Sequence, residues 1–191
     1  MKDNENNELQ TIWEEARGHV MDGDYDKTIE IYKYILLRYG DDDVAVEHAH
    51  AYLGDAYLTL QKLKLAESHL KKAIKIEPDK PGYHYLLGFV YSIKERWVDA
   101  VNELQVATDG DPDNVEYRRS LGWAVFNHGN RVMGLIYLKE ALSNDPGNLN
   151  VLLDLSSAYL LDGKIAEARK HGEHWHRVTF WRSRYWLKSP R

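Results

Sequence analysis

The stretches YLGDAYL (52–58), LLGFVYS (86–92) and SLGWAVF (120–126) stand 34 residues apart. A fixed period of that length constrains the fold more than any local propensity, because each repeat must be one supersecondary unit that stacks on copies of itself. Blocks starting at Glu47, Pro81, Val115 and Leu149 align without a gap. Their seventh and eighth positions are Leu53-Gly54, Leu87-Gly88, Leu121-Gly122 and Leu155-Ser156, and the eleventh gives Tyr57, Tyr91, Val125 and Tyr159. Position 20 is Ala66, Ala100, Gly134 and Ala168, position 27 is Ala73, Ala107 and Ala141, and position 32 is Pro78, Pro112 and Pro146. A weaker block starts near Leu9 with Glu15-Ala16 in place of Leu-Gly, and carries about four additional residues around Asp41, Asp42 and Asp43.

Each unit reads as two helices. Small residues at positions eight and 20 let them approach closely where they cross, and the proline at 32 stops the second helix. Apolar residues at helical spacing, such as Leu70, Ala73 and Ile74, give the second helix a buried stripe. This pattern resembles the tetratricopeptide repeat family over roughly residues 9 to 175. The resemblance implies an all-α, right-handed superhelical solenoid of antiparallel helix pairs. The expected organisation is an acidic, flexible N-terminus (1–8) and five pairs at about 9–46, 47–80, 81–114, 115–148 and 149–176. A basic aromatic extension follows (177–191), expected to act as a C-terminal capping helix reaching to about Trp186.

In that family a stripe of the first helices lines a concave groove. By register the stripe comprises Trp13 and Arg17, then Asp55, then Tyr85 and Phe89, then Arg119, Trp123, Phe126 and Asn127, and finally Leu153. Its centre is aromatic, and Trp, Tyr and Arg dominate binding energetics at interfaces. The resemblance therefore implies an adaptor or chaperone-like scaffold binding an extended or helical segment of a partner protein. Arg119 and Asn127 are expected to bond that segment's backbone or carboxylate. The competing reading is that these rings pack internally. The Lys and Asn set with which some family members grip carboxylate tails is missing, so that activity does not carry over.

Other chemistry is thinner. The run DGDYDK from Asp22 begins like a calcium loop but has Lys27 where the turn glycine belongs, and DGDPDN from Asp109 has Pro112 among the ligand positions. Both fit turns and helix caps. Glu167, His171 and His174 fall on one helical face, a weak zinc pattern without a metalloprotease frame. With no phosphate loop, nucleophile elbow or paired carboxylates, the expectation is a non-enzyme without cofactor. No cysteine, no signal-like N-terminus and no run of about 20 apolar residues point to a cytoplasmic location.

Charge is uneven: residues 1–47 carry 13 acidic and 5 basic side chains, and 164–191 carry 2 acidic and 8 basic. The basic, aromatic tail leaves three further options open: homo-oligomerisation, a membrane surface, or nucleic acid.

Overall fold

A computed structural model describes residues 2–172, with side chains from residue 7 onward. Nine helices alternate with short turns among the described residues: α1 (Lys2–Met21), α2 (Tyr25–Arg38), α3 (Asp43–Thr59), α4 (Leu63–Ile76), α5 (Pro81–Ile93), α6 (Trp97–Gly110), α7 (Val115–Asn127), α8 (Arg131–Asn144) and α9 (Leu149–Leu161). Residues 165–172 are again helical. The fold is all-α, as the period predicts. Residues 2–8, expected as a flexible lead, belong instead to α1. The expected tail helix over 177–191 lies outside the described residues.

The turns repeat as regularly as the sequence does. Within each helical hairpin one residue takes a left-handed backbone: Gly23 (φ 74°), Gln61 (58°), Glu95 (55°), Gly129 (111°) and Gly163 (74°). Left-handed geometry reverses the chain in the fewest residues, and glycine adopts it at least cost. Five helix starts are capped by short polar side chains, which accept from otherwise unpaired N–H groups. Asp24 accepts from Lys27 N and Asp42 from Ala45 N; Asn114, Asn130 and Asn148 do the same for α7, α8 and α9. Both calcium-like runs contain such caps, Asp24 and Asn114.

The chain forms two compact units, Met1–Lys94 and Glu95–Arg191. In the first, α1 packs on α2, α2 on α3, α3 on α4, and α5 on both α3 and α4. In the second, α6 packs on α7, α7 on α8, and α9 on both α7 and α8. Leu53, Leu87, Leu121 and Leu155 are all buried, as are Tyr57, Tyr91, Val125 and Tyr159 and every small residue at positions 20 and 27. The weak first block keeps the register, with Ala16 and Thr28 completely buried at positions eight and 20.

The glycines explain the Leu-Gly pair. A Cβ on Gly54 would stand 2.6 Å from Leu70 Cγ, and one on Gly122 3.0 Å from Leu138 Cγ. At Gly134 the obstacle is backbone, with Phe126 N at 2.6 Å and Gly122 O at 2.7 Å. Ser156, which stands for glycine in the last block, donates its hydroxyl to Ala168 O at 2.8 Å across the same crossing.

One ion network ties α4 to α5 in the first unit. Glu67 accepts from Lys71 at 2.7 Å and from Lys94 at the end of α5, with the Tyr91 hydroxyl at 3.4 Å. Burial works to raise the Glu67 pKa, but the hydrogen bonds from Lys71 and Lys94 prevail and lower it from 4.5 to about 2.

Two measurements test these contacts. Gly134→Ala, whose methyl meets backbone on both sides, lowers unfolding free energy by roughly 1–3 kcal/mol despite alanine's better helix propensity. Gly54→Ala costs less, because the side chain of Leu70 can turn aside; urea midpoints of the two variants give the order. For Glu67, a depressed carboxylate contributes stability above its unfolded pKa of 4.5 and loses it as pH falls toward about 2. Glu67→Gln therefore flattens the stability profile in that window by an amount on the order of 1–2 kcal/mol, seen in denaturation at stepped pH.

Candidate functional site

Helix α1 presents Gln10, Trp13, Glu14 and Arg17 at i, i+3, i+4 and i+7, a single face running about two turns along the helix. With Tyr32 of α2 and His48 and Tyr52 of α3 they line a cavity of about 330 Å³. This is near the lower end of the range for ligand pockets, roomy enough for one large side chain of a partner. The whole cavity lies within the first unit.

Its walls are rings in two offset stacks. Trp13 lies against His48 with centroids 5.4 Å apart, and Tyr32 against Tyr52 at 4.8 Å and nearly parallel. His48 and Tyr52, one turn apart on α3, join the stacks at 6.4 Å. Offset pairs of this kind fix ring orientation beyond simple burial. Tyr32 is the anchored member, 2% exposed, and burial raises its hydroxyl pKa above the ordinary value, with Tyr52 adding to the rise and Arg17 opposing it.

Behind the rings sits a buried carboxylate. Glu47 of α3 is 4% exposed and accepts from the Tyr83 hydroxyl of α5, while His48 Nε2 stands 3.6 Å from its other oxygen. Burial and the bond to Glu47 together raise the Tyr83 pKa. The cavity wall is thus braced from α5 through α3 to Trp13. Trp13 Nε1, itself buried, has no hydrogen-bond partner, an unusual condition for a buried donor.

Deeper in α3 and α4, His50 and His69 face each other with Nδ1 atoms 3.0 Å apart. Burial lowers both pKa values, that of His69 to about 4 with the His50 ring as second cause. One ring donates and the other accepts, so the pair is a neutral cross-brace between the helices. His84 bonds Pro78 O at 2.7 Å in the same manner.

The residues read from the sequence as a single stripe separate into four environments. Trp13 and Arg17 line the cavity. Asp55 is half-buried on α3, and burial raises its pKa; Tyr85 and Phe89 stack at 6.2 Å along α5, both half-buried. Trp123 is half-buried and stacks at 6.3 Å on Phe126, and Leu153 is 55% exposed. The remainder are committed elsewhere. Phe126 is only 3% exposed, in the core formed with Leu135, Leu138, Val151, Leu155 and Tyr159.

Two expected polar contacts are likewise used internally. Arg119, expected to meet a peptide, is held in ion pairs with Glu116 and with Asp154 of α9. Burial opposes its charge, but the bond to Glu116 and the charge of Asp154 outweigh that and raise its pKa. The side-chain amide of Asn127 donates to Trp123 O, one turn back in its own helix.

Gln10, Glu14, Tyr32, His48 and Tyr52 were missed by the sequence reading. Gln10 and His48 occupy the second positions of their blocks, three residues before position five, and so share a helix face with it. Tyr32 comes from a second helix, which register arguments assign wholly to packing. The weak metal pattern does not gather: Glu167 is exposed, His171 stacks on Tyr159 at 5.5 Å, and His174 lies outside the described residues. Among the described residues, no three His, Cys, Asp or Glu side chains converge, and no helix is long and apolar enough to cross a membrane.

The family profile described as TPR repeat matches residues 54–92. No curated protein sequence matches the chain. Among solved structures, MamA from residue 41 to its end, from Desulfovibrio magneticus RS-1, superposes with a TM-score of 0.77 at 15% identity, covering 90% of this chain and 94% of that one. A crystal structure of MamA gives 0.72 at 20% identity, over 89% and 97%. MamA AMB-1 gives 0.69 at 21%, over 97% and 100%. At these identities the likeness is one of fold, a repeat architecture that is typically non-enzymatic.

The division between packing and exposed rings is measurable. Phe126→Ala removes a sealed ring and lowers unfolding free energy by roughly 3–5 kcal/mol. Trp123→Ala, at a half-exposed ring three residues earlier, costs about 1–2 kcal/mol; chemical denaturation of both variants checks the order.

Proposed function

Because the chain carries tetratricopeptide repeats, we propose that it is a protein-interaction scaffold that takes up a segment of a partner protein on the face shared by its first helices. The repeat fold is that of interaction scaffolds in general. The choice of face rests on one observation: the cavity of about 330 Å³ opens on the predicted stripe, lined by Trp13, Tyr32, His48 and Tyr52. A pocket walled by aromatic side chains with a few polar groups at its rim suits an anchor residue of an incoming segment.

Tyr85 and Phe89 on α5 supply a second ring surface in the same unit, and Trp123 with Leu153 a further one in the second unit. Arg119, Phe126 and Asn127 have no part in binding, since ion pairs, the core and the helix occupy them. The reading is of a non-catalytic chain in the cytoplasm, a reducing compartment in which the absence of cysteine costs nothing.

Selection of peptides from a displayed library against the full chain supplies ligands for the test. Trp13→Ala and Phe89→Ala each weaken selected peptides by tenfold or more with the helical content retained. Unaltered affinities alongside a large drop in unfolding midpoint would mean that both rings serve packing alone, and the proposal would fail.

A further inference from the structure

We infer that the cavity between α1, α2 and α3 takes a basic segment interleaved with aromatic rings, and that this segment is residues 173–191 of a second copy of the chain. The inference rests on the reading that this face binds peptide segments, and goes on to say which segment.

Three features of the cavity set the chemistry of its occupant. The first is the buried, partnerless Trp13 Nε1 in its wall. A desolvated donor needs an acceptor, and a shift of the ring that opens it to the cavity lets a backbone carbonyl of an incoming peptide supply one. The second is the wall itself, where the Trp13–His48 and Tyr32–Tyr52 stacks offer flat surfaces suited to another ring or to a guanidinium.

The third is charge. Glu14 stands at the rim, and the first 47 residues hold 13 acidic against 5 basic side chains. Arg17 offsets Glu14 within the lining itself, so the preference for a cation comes from the acidic excess of residues 1–47. The field therefore favours a cationic occupant over a carboxylate.

Within this chain one segment has matching chemistry. EHWHRVTFWRSRYWLKSPR (173–191) contains five Lys or Arg side chains, one acidic residue and five rings of Trp, Phe or Tyr. Rings and cations alternate closely enough for one ring to enter the cavity while a neighbouring arginine meets Glu14. A site near one end of the chain and its complement near the other allow either a reciprocal exchange that closes a dimer or a head-to-tail series.

Sedimentation of the full chain across the micromolar range tests this. The expected result is a mass that rises with concentration, falls with added salt, and falls again when a synthetic 173–191 peptide is added as competitor. Two exposed rim substitutions then read the sign of the occupant's charge. Glu14→Lys weakens association and Arg17→Glu strengthens it, each by roughly three- to tenfold. Trp13→Phe keeps a ring, removes the N–H and weakens association several-fold.

A chain that remains monomeric throughout overturns the inference, as does an association that ignores the competitor peptide. Rim substitutions with the opposite signs overturn it too, because they mean an anionic occupant. In each of these cases library-selected peptides that still depend on Trp13 and Phe89 leave the proposed function standing, whereas their independence from both rings removes it separately.

Discussion

The crossing of paired helices, α1 with α2, α3 with α4 and α7 with α8, is the contact on which the rest depends. At Gly122 and Gly134 backbone meets backbone so closely that no Cβ fits on Gly134 without displacing main-chain atoms. Such proximity leaves Leu121, Leu138 and Ala141 completely sealed from solvent. It also fixes the rotation of the first helix about its own axis. Once position eight must face the partner helix, the 100° step of an α-helix decides where every other side chain on that helix points. The environments of Trp123, Phe126 and Arg119 all follow from that rotation.

That rotation also explains how far the sequence was readable. Positions seven, eight, eleven, 20 and 27 are buried in most described blocks, so the same volume constraint recurs at intervals of 34 residues and leaves a visible trace. Their burial, from Ala16 and Thr28 in the first block to Ala168 in the last, follows from pattern alone. The helix caps were legible for the same reason, since Asp24 and Asn114 act on N–H groups two or three residues away.

Features that depend on neighbouring repeats left no such trace. Phe126 stands four residues beyond Gly122, so it leans toward the second helix of its own hairpin, where Gly134 lacks a side chain and leaves room. α9 then covers the ring with Val151, Leu155 and Tyr159. Leu160, in the equivalent position of the last block, is 57% exposed because no further described repeat covers it. Two residues with one register position thus have opposite fates. Arg119 was misread for a related reason: the acid that occupies it, Asp154, lies 35 residues further on.

The cavity arises where the repeat is least regular. The first block has Glu15 and Ala16 in place of Leu-Gly, and Trp13 holds the position that the next block gives to Ala51. A large ring opposite a small residue cannot close the face as two medium side chains would. Trp13 therefore lies on His48, Tyr32 fills the space against Tyr52, and the remaining gap is the pocket. Glu47 is drawn inward beneath it to meet the Tyr83 hydroxyl, which places His48 over a buried acid. The crossing itself survives through Ala16 and Thr28, so the residues that shape the concavity are those that stand beside the crossing and not in it.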